Sequence, residues 1–270
     1  MSAASEARVP ATSTAIALLA RGVAIEIFRR KEFYVLLFLM CIYAVGVIIA
    51  GAVGIEDAAT FFFLLNLGLT FAYLSGHLLA LLTAARQIPK EIEHRTLYPL
   101  LARPVTRQTY ILGKWIATTA AGITALFLLT ALSFVPWLVF PEATALSVPL
   151  FLQMLVLGCL SIALIAALGL LLSLAVPTGV SLTIIALFFL FWNQAKAFVL
   201  AWHGEGPAAG FLRWALEYVP DFSKLNLVTR YTDGVGPLAA GEFLGLVLYG
   251  GLTTALALLL TGVLFERRQL

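Results

Sequence analysis

Six stretches of this chain are too long and too apolar to fold in water. Segments 33–54, 58–85, 115–140, 149–176, 180–202 and 243–265 each hold about 20 or more residues of mainly apolar character, the length a helix needs to cross a hydrocarbon layer about 30 Å thick. In lipid, backbone polar groups must be satisfied within the structure, and only helices and closed barrels manage this. A membrane strand is about 9–11 residues long, so runs of this length read as helices. Of the 270 residues, 61% are hydrophobic and 11% charged, whereas a soluble domain is about 25% charged. The expectation is one all-α integral membrane domain of six transmembrane helices. The N-terminus to Pro10 is polar and small, without a short apolar core and cleavage site, so the first span is expected to be retained. Cys41 and Cys159 fall inside spans and read as small packing residues, neither a disulfide nor a metal site.

Charge fixes the orientation. Arg29, Arg30 and Lys31 precede the first span. Arg86, Lys90, Arg95, Arg103, Arg107 and Lys114 lie between the second and third, and Arg267 and Arg268 follow the sixth. The other loops carry mostly acids: Glu56 and Asp57, Glu142, then Glu205, Glu217, Asp221, Asp233 and Glu242. Lys and Arg mark cytoplasmic loops, which places both termini in the cytoplasm. The net charge of +3 suits a basic face toward anionic lipid. Nothing suggests nucleic-acid binding.

Between the spans, residues 14–31 read as an interfacial helix, with Ile16, Leu19, Val23 and Ile27 on one face and Arg21 and Arg29 roughly opposite. The uncharged turn "VPTGV" makes spans four and five antiparallel neighbours. The long extracytoplasmic segment 203–242 contains "FLRWALEYV", which starts at Phe211 as an amphipathic helix ended by Pro220. It is expected either to rest on the outer membrane surface or to dock an extracytoplasmic partner.

Polar residues inside spans are costly and often mark a pathway, although Asn and Gln also bond between helices. Asn66 and Gln153 read as interhelical bonds. His77, near mid-span, and Asn193, Gln194 and Lys196, in the outer half of the fifth span, are the candidates for lining a substrate route. Lys196 is close enough to the span end to snorkel. No catalytic set is visible. The only Gly-Lys pair, Gly113-Lys114, is preceded by Gln108 and followed by Trp115 where a phosphate loop needs Gly and Ser or Thr. His77, His94 and His203 share no metal-ligand spacing. No cofactor or metal is expected in the chain.

The densest charge lies in "EIEHRTLYPLLARPVTRQTYILGKW", Glu91 to Trp115. Pro89 suits a first helical turn and Glu91 and Glu93 suit its positive end, so a separate helix is expected over 88–102. Ile88 and Ile92 lie on one face and Leu97, Leu100 and Leu101 on roughly the opposite one. An element that only floats on lipid needs one apolar face. Two imply that it is held between the ends of the spans and a partner protein, with Glu91, Glu93, His94 and Arg95 beside them.

These residues carry a resemblance. Thr96-Leu97, Leu100-Leu101, Pro104-Val105-Thr106-Arg107 and Leu112-Gly113-Lys114 resemble the cytoplasmic signature of type-2 ABC exporter permeases, with Arg95 in place of the usual Gly. "VPDFSKLNL" and "TLYPLL" are similar to the branch associated with multicopper-enzyme maturation, such as that of nitrous oxide reductase. The resemblance implies a homodimer in which each copy rests on a separate ATPase subunit that binds ATP and Mg. It also implies that the helix after span two is a coupling helix and that the path between protomers switches access as the ATPases close. Two other classes compete: an intramembrane enzyme, which needs paired catalytic groups at one depth, and an ATPase-independent carrier, which predicts inverted repeats and charged midplane groups.

Overall fold

A computed structural model describes residues 31–54, 57–93, 107–140, 147–201, 210 and 220–267. Regular structure among the described residues is helical, with no strand. In chain order the helices are α1 (Lys31–Ala52), α2 (Ala58–Glu93), α3 (Arg107–Leu132), the short α4 (Pro136–Val139), α5 (Val148–Ala175) and α6 (Thr178–Ala201). A 3-10 turn at Phe222–Leu225, the short α7 (Val228–Thr232) and α8 (Ala240–Arg267) complete the chain. Among the described residues, five helices are long and apolar enough to cross a membrane, with α3 and α4 counted together. The 24-residue α6 contributes a shorter apolar run, Thr178–Trp192. The interfacial helix expected over 14–31 and the amphipathic helix expected after Phe211 lie outside the described residues.

Packing follows from which faces are apolar. α5 is apolar all round, as a central helix should be, and most of its length is buried, from Leu150 to Leu174. Ser147 caps it by accepting a hydrogen bond from the Leu150 amide. α8 buries one stripe, Gly250, Thr254, Ala257, Thr261 and Phe265, whose spacing puts all five on one face. That stripe packs mainly on α5. The opposite face exposes Leu244, Leu248, Leu252, Leu256 and Leu259, which lipid tolerates and water would not. The tightest crossing joins α2 to α3. A Cβ at Gly122 would stand 2.7 Å from Ile162 Cγ2 and 2.9 Å from the Gly76 carbonyl oxygen, so glycine lets the two backbones meet.

Contacts fix the helix directions. Glu32 at the start of α1 pairs with Arg86 near the end of α2 at 2.7 Å. Arg107 at the start of α3 bonds Phe265 and Glu266 at the end of α8. Leu170 and Leu174 at the end of α5 join Tyr110 and Phe265 in one cluster. The six long helices therefore alternate in direction. Arg86, Arg107 and Lys114 gather at one end, the basic end. Asp57 and Asp221 stand at the other.

One local expectation is corrected. No new helix begins at Pro89, because α2 runs unbroken from Ala58 to Glu93 with Pro89 inside it. A proline removes one helical hydrogen bond. Here the surrounding turn is held by tertiary contacts: Gln87 and Ile88 are buried and Glu91 is bonded to α3. The rest of the expected coupling helix, 94–102, lies outside the described residues.

Candidate functional site

Three polar groupings interrupt the apolar bundle. The first lies at the basic end. The Glu91 carboxylate accepts hydrogen bonds from the Tyr110 hydroxyl and from Lys114 Nζ. The two partners sit four apart on α3, so both reach one carboxylate. The Lys114 side chain is 8% exposed and Glu91 20% exposed, and a buried charge is tolerable when paired. Below this pair, Thr118 donates to Gln87 Oε1 at 3.3 Å, while the buried Gln87 Nε2 has no partner among the described residues. On its other side, the Tyr110 ring stacks on Phe265 of α8, with centroids 5.7 Å apart and planes 15° from parallel. Arg107 Nη1 donates to the Phe265 and Glu266 carbonyls at 3.0 and 3.1 Å. A cation there bonds carbonyls of the last helical turn and suits its negative end. Both described borders of segment 94–106, the end of α2 and the start of α3, are thus joined by a single clamp.

The second grouping lies mid-bundle. His77 is fully buried. Its Nδ1 lies 2.7 Å from the Tyr73 carbonyl oxygen and its Nε2 lies 2.7 Å from Ser161 Oγ. A carbonyl only accepts, so Nδ1 carries the proton and Nε2 accepts from the Ser161 hydroxyl. Ser161 in turn accepts from the Tyr73 hydroxyl at 2.9 Å. Phe189 of α6 stacks on the imidazole at 4.7 Å. A serine bonded to a histidine is the arrangement that activates a nucleophile. Here Ser161 and His77 are both 0% exposed. The small cavity that reaches His77 is otherwise lined by apolar side chains, among them Leu74, Leu81, Ile165 and Phe189. The arrangement satisfies the polar groups of Tyr73, His77 and Ser161 inside the apolar bundle.

The third grouping lies at the opposite end. Lys196 Nζ bonds Asp221 Oδ2 at 2.6 Å. Asp221 also accepts from the Ser223 amide at 3.0 Å, and its own amide donates to the Tyr249 hydroxyl at 2.7 Å. Burial pushes the Asp221 carboxyl up, but the bonds from Lys196 and Ser223 outweigh it and hold the group below the usual carboxylate range. This ion pair draws segment 220–232 into the bundle, where Phe222 meets Phe189 edge-on at 5.5 Å and Tyr231 meets Phe151 at 5.6 Å. Asn66 donates to Thr232 Oγ1 at 2.6 Å. Gln153 forms two bonds with the Leu238 backbone, at 3.0 and 2.9 Å. These contacts enclose the segment with α2, α5, α6 and α8.

The residues singled out from sequence are therefore dispersed. His77 and Lys196 are tied into separate groupings. Gln194 is exposed on α6, and the Asn193 side chain lies outside the described residues. Glu93 is exposed at the end of α2, while Glu91 is engaged inside the chain. His94, Arg95, Leu97, Leu100 and Leu101 lie outside the described residues. Tyr110 and Phe265 were missed by sequence reasoning, since a Tyr and a Phe in apolar helices carry no signal of their own. Asn66 and Gln153 do bond between elements, as expected.

No curated protein matches the chain. A family model does, the ABC-2 family transporter protein, over residues 25–270. That span covers every described helix, both borders of the segment between α2 and α3, and the segment before α8. The chain belongs to the ABC-2 transporter family and is a multi-pass membrane permease component.

Proposed function

We propose that this chain is the permease subunit of an ATP-driven exporter of a bacterial cytoplasmic membrane. Two copies each rest on a separate ATPase that binds ATP and Mg. α6 also crosses the membrane, as the fifth of six spans, and the basic end with both termini faces the cytoplasm, following the distribution of Lys and Arg. One observation carries the reading: the end of α2 and the start of α3, which border the segment between them, are tied together by the Glu91–Tyr110–Lys114 clamp. A segment anchored at both borders can deliver force to two helices at once. Glu91 anchors it. Exposed Glu93, with His94, Arg95, Leu97, Leu100 and Leu101, meets the ATPase.

The second copy covers α6. Leu190, Phe191, Gln194 and Phe198 are exposed on that helix, and an amide facing only hydrocarbon would lose its hydrogen bonds. A path between protomers supplies them, with Asn193, Gln194 and Lys196 nearest its outer half and His77 behind Phe189.

The test is Glu93→Lys. The variant should insert and fold at wild-type abundance but recover less ATPase on co-purification, by at least about tenfold in affinity for a broken charged contact. Full ATPase recovery with full transport would remove Glu93 from the contact. Turnover by the purified chain alone would favour an enzyme instead.

A further inference from the structure

The basic-end clamp does more than border the segment between α2 and α3. It continues past α3 into α8. Glu91 holds the Tyr110 hydroxyl, the other face of the Tyr110 residue is its ring stack on Phe265, and Arg107, one turn earlier, bonds two carbonyls of the last turn of α8. The Arg107 guanidinium also stands 5.8 Å from the Phe265 ring centroid. Phe265 is fully buried, in a cluster with Ala84 and Ile88 of α2 and Leu170 and Leu174 of α5. Elsewhere α8 rests on α5 by a stripe that includes Thr254, Ala257 and Thr261, and Leu160 of α5 fits against Gly250, where a Cβ would collide with its Cδ2.

We propose that Arg107 and Tyr110 are positioning residues that make α8 move with the segment between α2 and α3, so that the last helix is a driven element of the transport cycle. This rests on the ATPase-coupled reading above. The physical ground is bond type. Two charge-assisted bonds and a stacked ring fix the end of α8 in direction and register against the start of α3. A displacement at the start of α3 is therefore passed to the end of α8. A packed contact of this kind switches between discrete arrangements.

The test places an environment-sensitive bimane fluorophore at Leu264→Cys, a position 41% exposed on the last turn of α8, with Cys41 and Cys159 replaced by Ala. The full permease is purified with its co-expressed ATPase, and magnesium ATP with vanadate is added. The wild-type clamp should give a nucleotide-dependent emission shift. Arg107→Gln removes the cap, and Phe265→Leu keeps an apolar group in the cluster but removes the stacked ring. Both should keep ATPase recovery and ATP hydrolysis while losing the shift at position 264. A clamp that only stabilised the fold would lower abundance and leave the shift of the surviving protein intact, and that result overturns the proposal. A wild-type permease that holds its ATPase but gives no shift also overturns it, leaving the coupled reading standing. Failure to recover any ATPase with the wild type sinks both.

Discussion

Exchanging one methyl group between two helices tests the packing that supports every site described here. A Cβ built on Gly169 of α5 would stand 2.6 Å from the Ala84 Cβ of α2, and the next nearest atoms, Ala85 N and Leu81 Cδ1, are at 3.8 Å. Carbons rest about 3.5–4.0 Å apart, so Gly169→Ala must push α5 and α2 apart locally by about 1 Å. Overpacking of this kind costs about 1–3 kcal/mol, against which Ala gains about 1 kcal/mol over Gly in a helix. The net expectation is destabilisation by about 1 kcal/mol. Ala84→Gly alone loses about 1 kcal/mol of helix preference and about 0.8 kcal/mol of buried methyl, close to 2 kcal/mol together. The double variant moves the methyl across the interface without changing its total volume. Its helix terms cancel and the clash is gone, so it should lie within about 0.5 kcal/mol of wild type, a favourable coupling of about 3 kcal/mol. Reversible unfolding in mixed detergent micelles, followed by tryptophan fluorescence, measures all four proteins. A double variant that loses the sum of the two single effects, about 3 kcal/mol, refutes the contact and with it the packing of α5 against α2 beside the clamp.

Three further outcomes are expected. Lys196→Met leaves the 5% exposed Asp221 carboxylate without its cation. After allowance for solvent around the one-third exposed lysine, this should cost about 2 kcal/mol at neutral pH. Asp221 ionises below its ordinary value, so its contribution is present above about pH 4 and disappears as pH falls through the depressed folded value. The stability gap between wild type and Lys196→Met should close over that acid range, and a gap constant down to pH 2 would exclude Asp221 as the partner. Single cysteines placed at Asp233 and Arg103 in a cysteine-free background should react with an impermeant thiol reagent in intact cells at 233 and not at 103. Labelling at 103 would reverse the proposed orientation. Tyr110→Phe keeps the stack on Phe265 but removes the hydroxyl bonded to Glu91, and should cost about 1.5–3 kcal/mol as a lost bond to a charged group. Wild-type stability in that variant would show that the hydroxyl adds nothing beyond the ring.

Much of the bundle was legible because lipid enforces a plain code. Long apolar runs became helices, and a helix apolar on every face, α5, became the centre. The charges of Arg86, Arg107 and Lys114 gathered at one end, as their loop positions implied. What the sequence concealed was pairing. His77 and Ser161 are 84 residues apart, and Asn66 and Thr232 are 166 apart. Taken singly, each is a costly polar group whose partner only the tertiary fold supplies. Glu91 and Glu93 look alike in sequence and differ in what they touch, since one extra pair of residues along a helix rotates the side chain away from α3. The Pro89 signal was real but local, and it was outweighed by the burial of Ile88 and the bonding of Glu91. Segment 220–232 hid for a related reason: Phe222 and Tyr231 suit a membrane surface as well as they suit the crevice that holds them.

The capping of α8 by Arg107 also sets a timetable for synthesis. The guanidinium and the carbonyl it binds are separated by 158 residues. At about 5–20 residues per second, the ribosome needs roughly 8–30 s to make the chain between them. Throughout that interval α3 is already made, while Arg107 lacks its carbonyls and Tyr110 lacks the ring that covers it. The basic end is therefore the last part of the bundle to close. A half-made chain carries an open polar notch at the membrane edge, where a membrane protease or insertase can distinguish unfinished permease from finished.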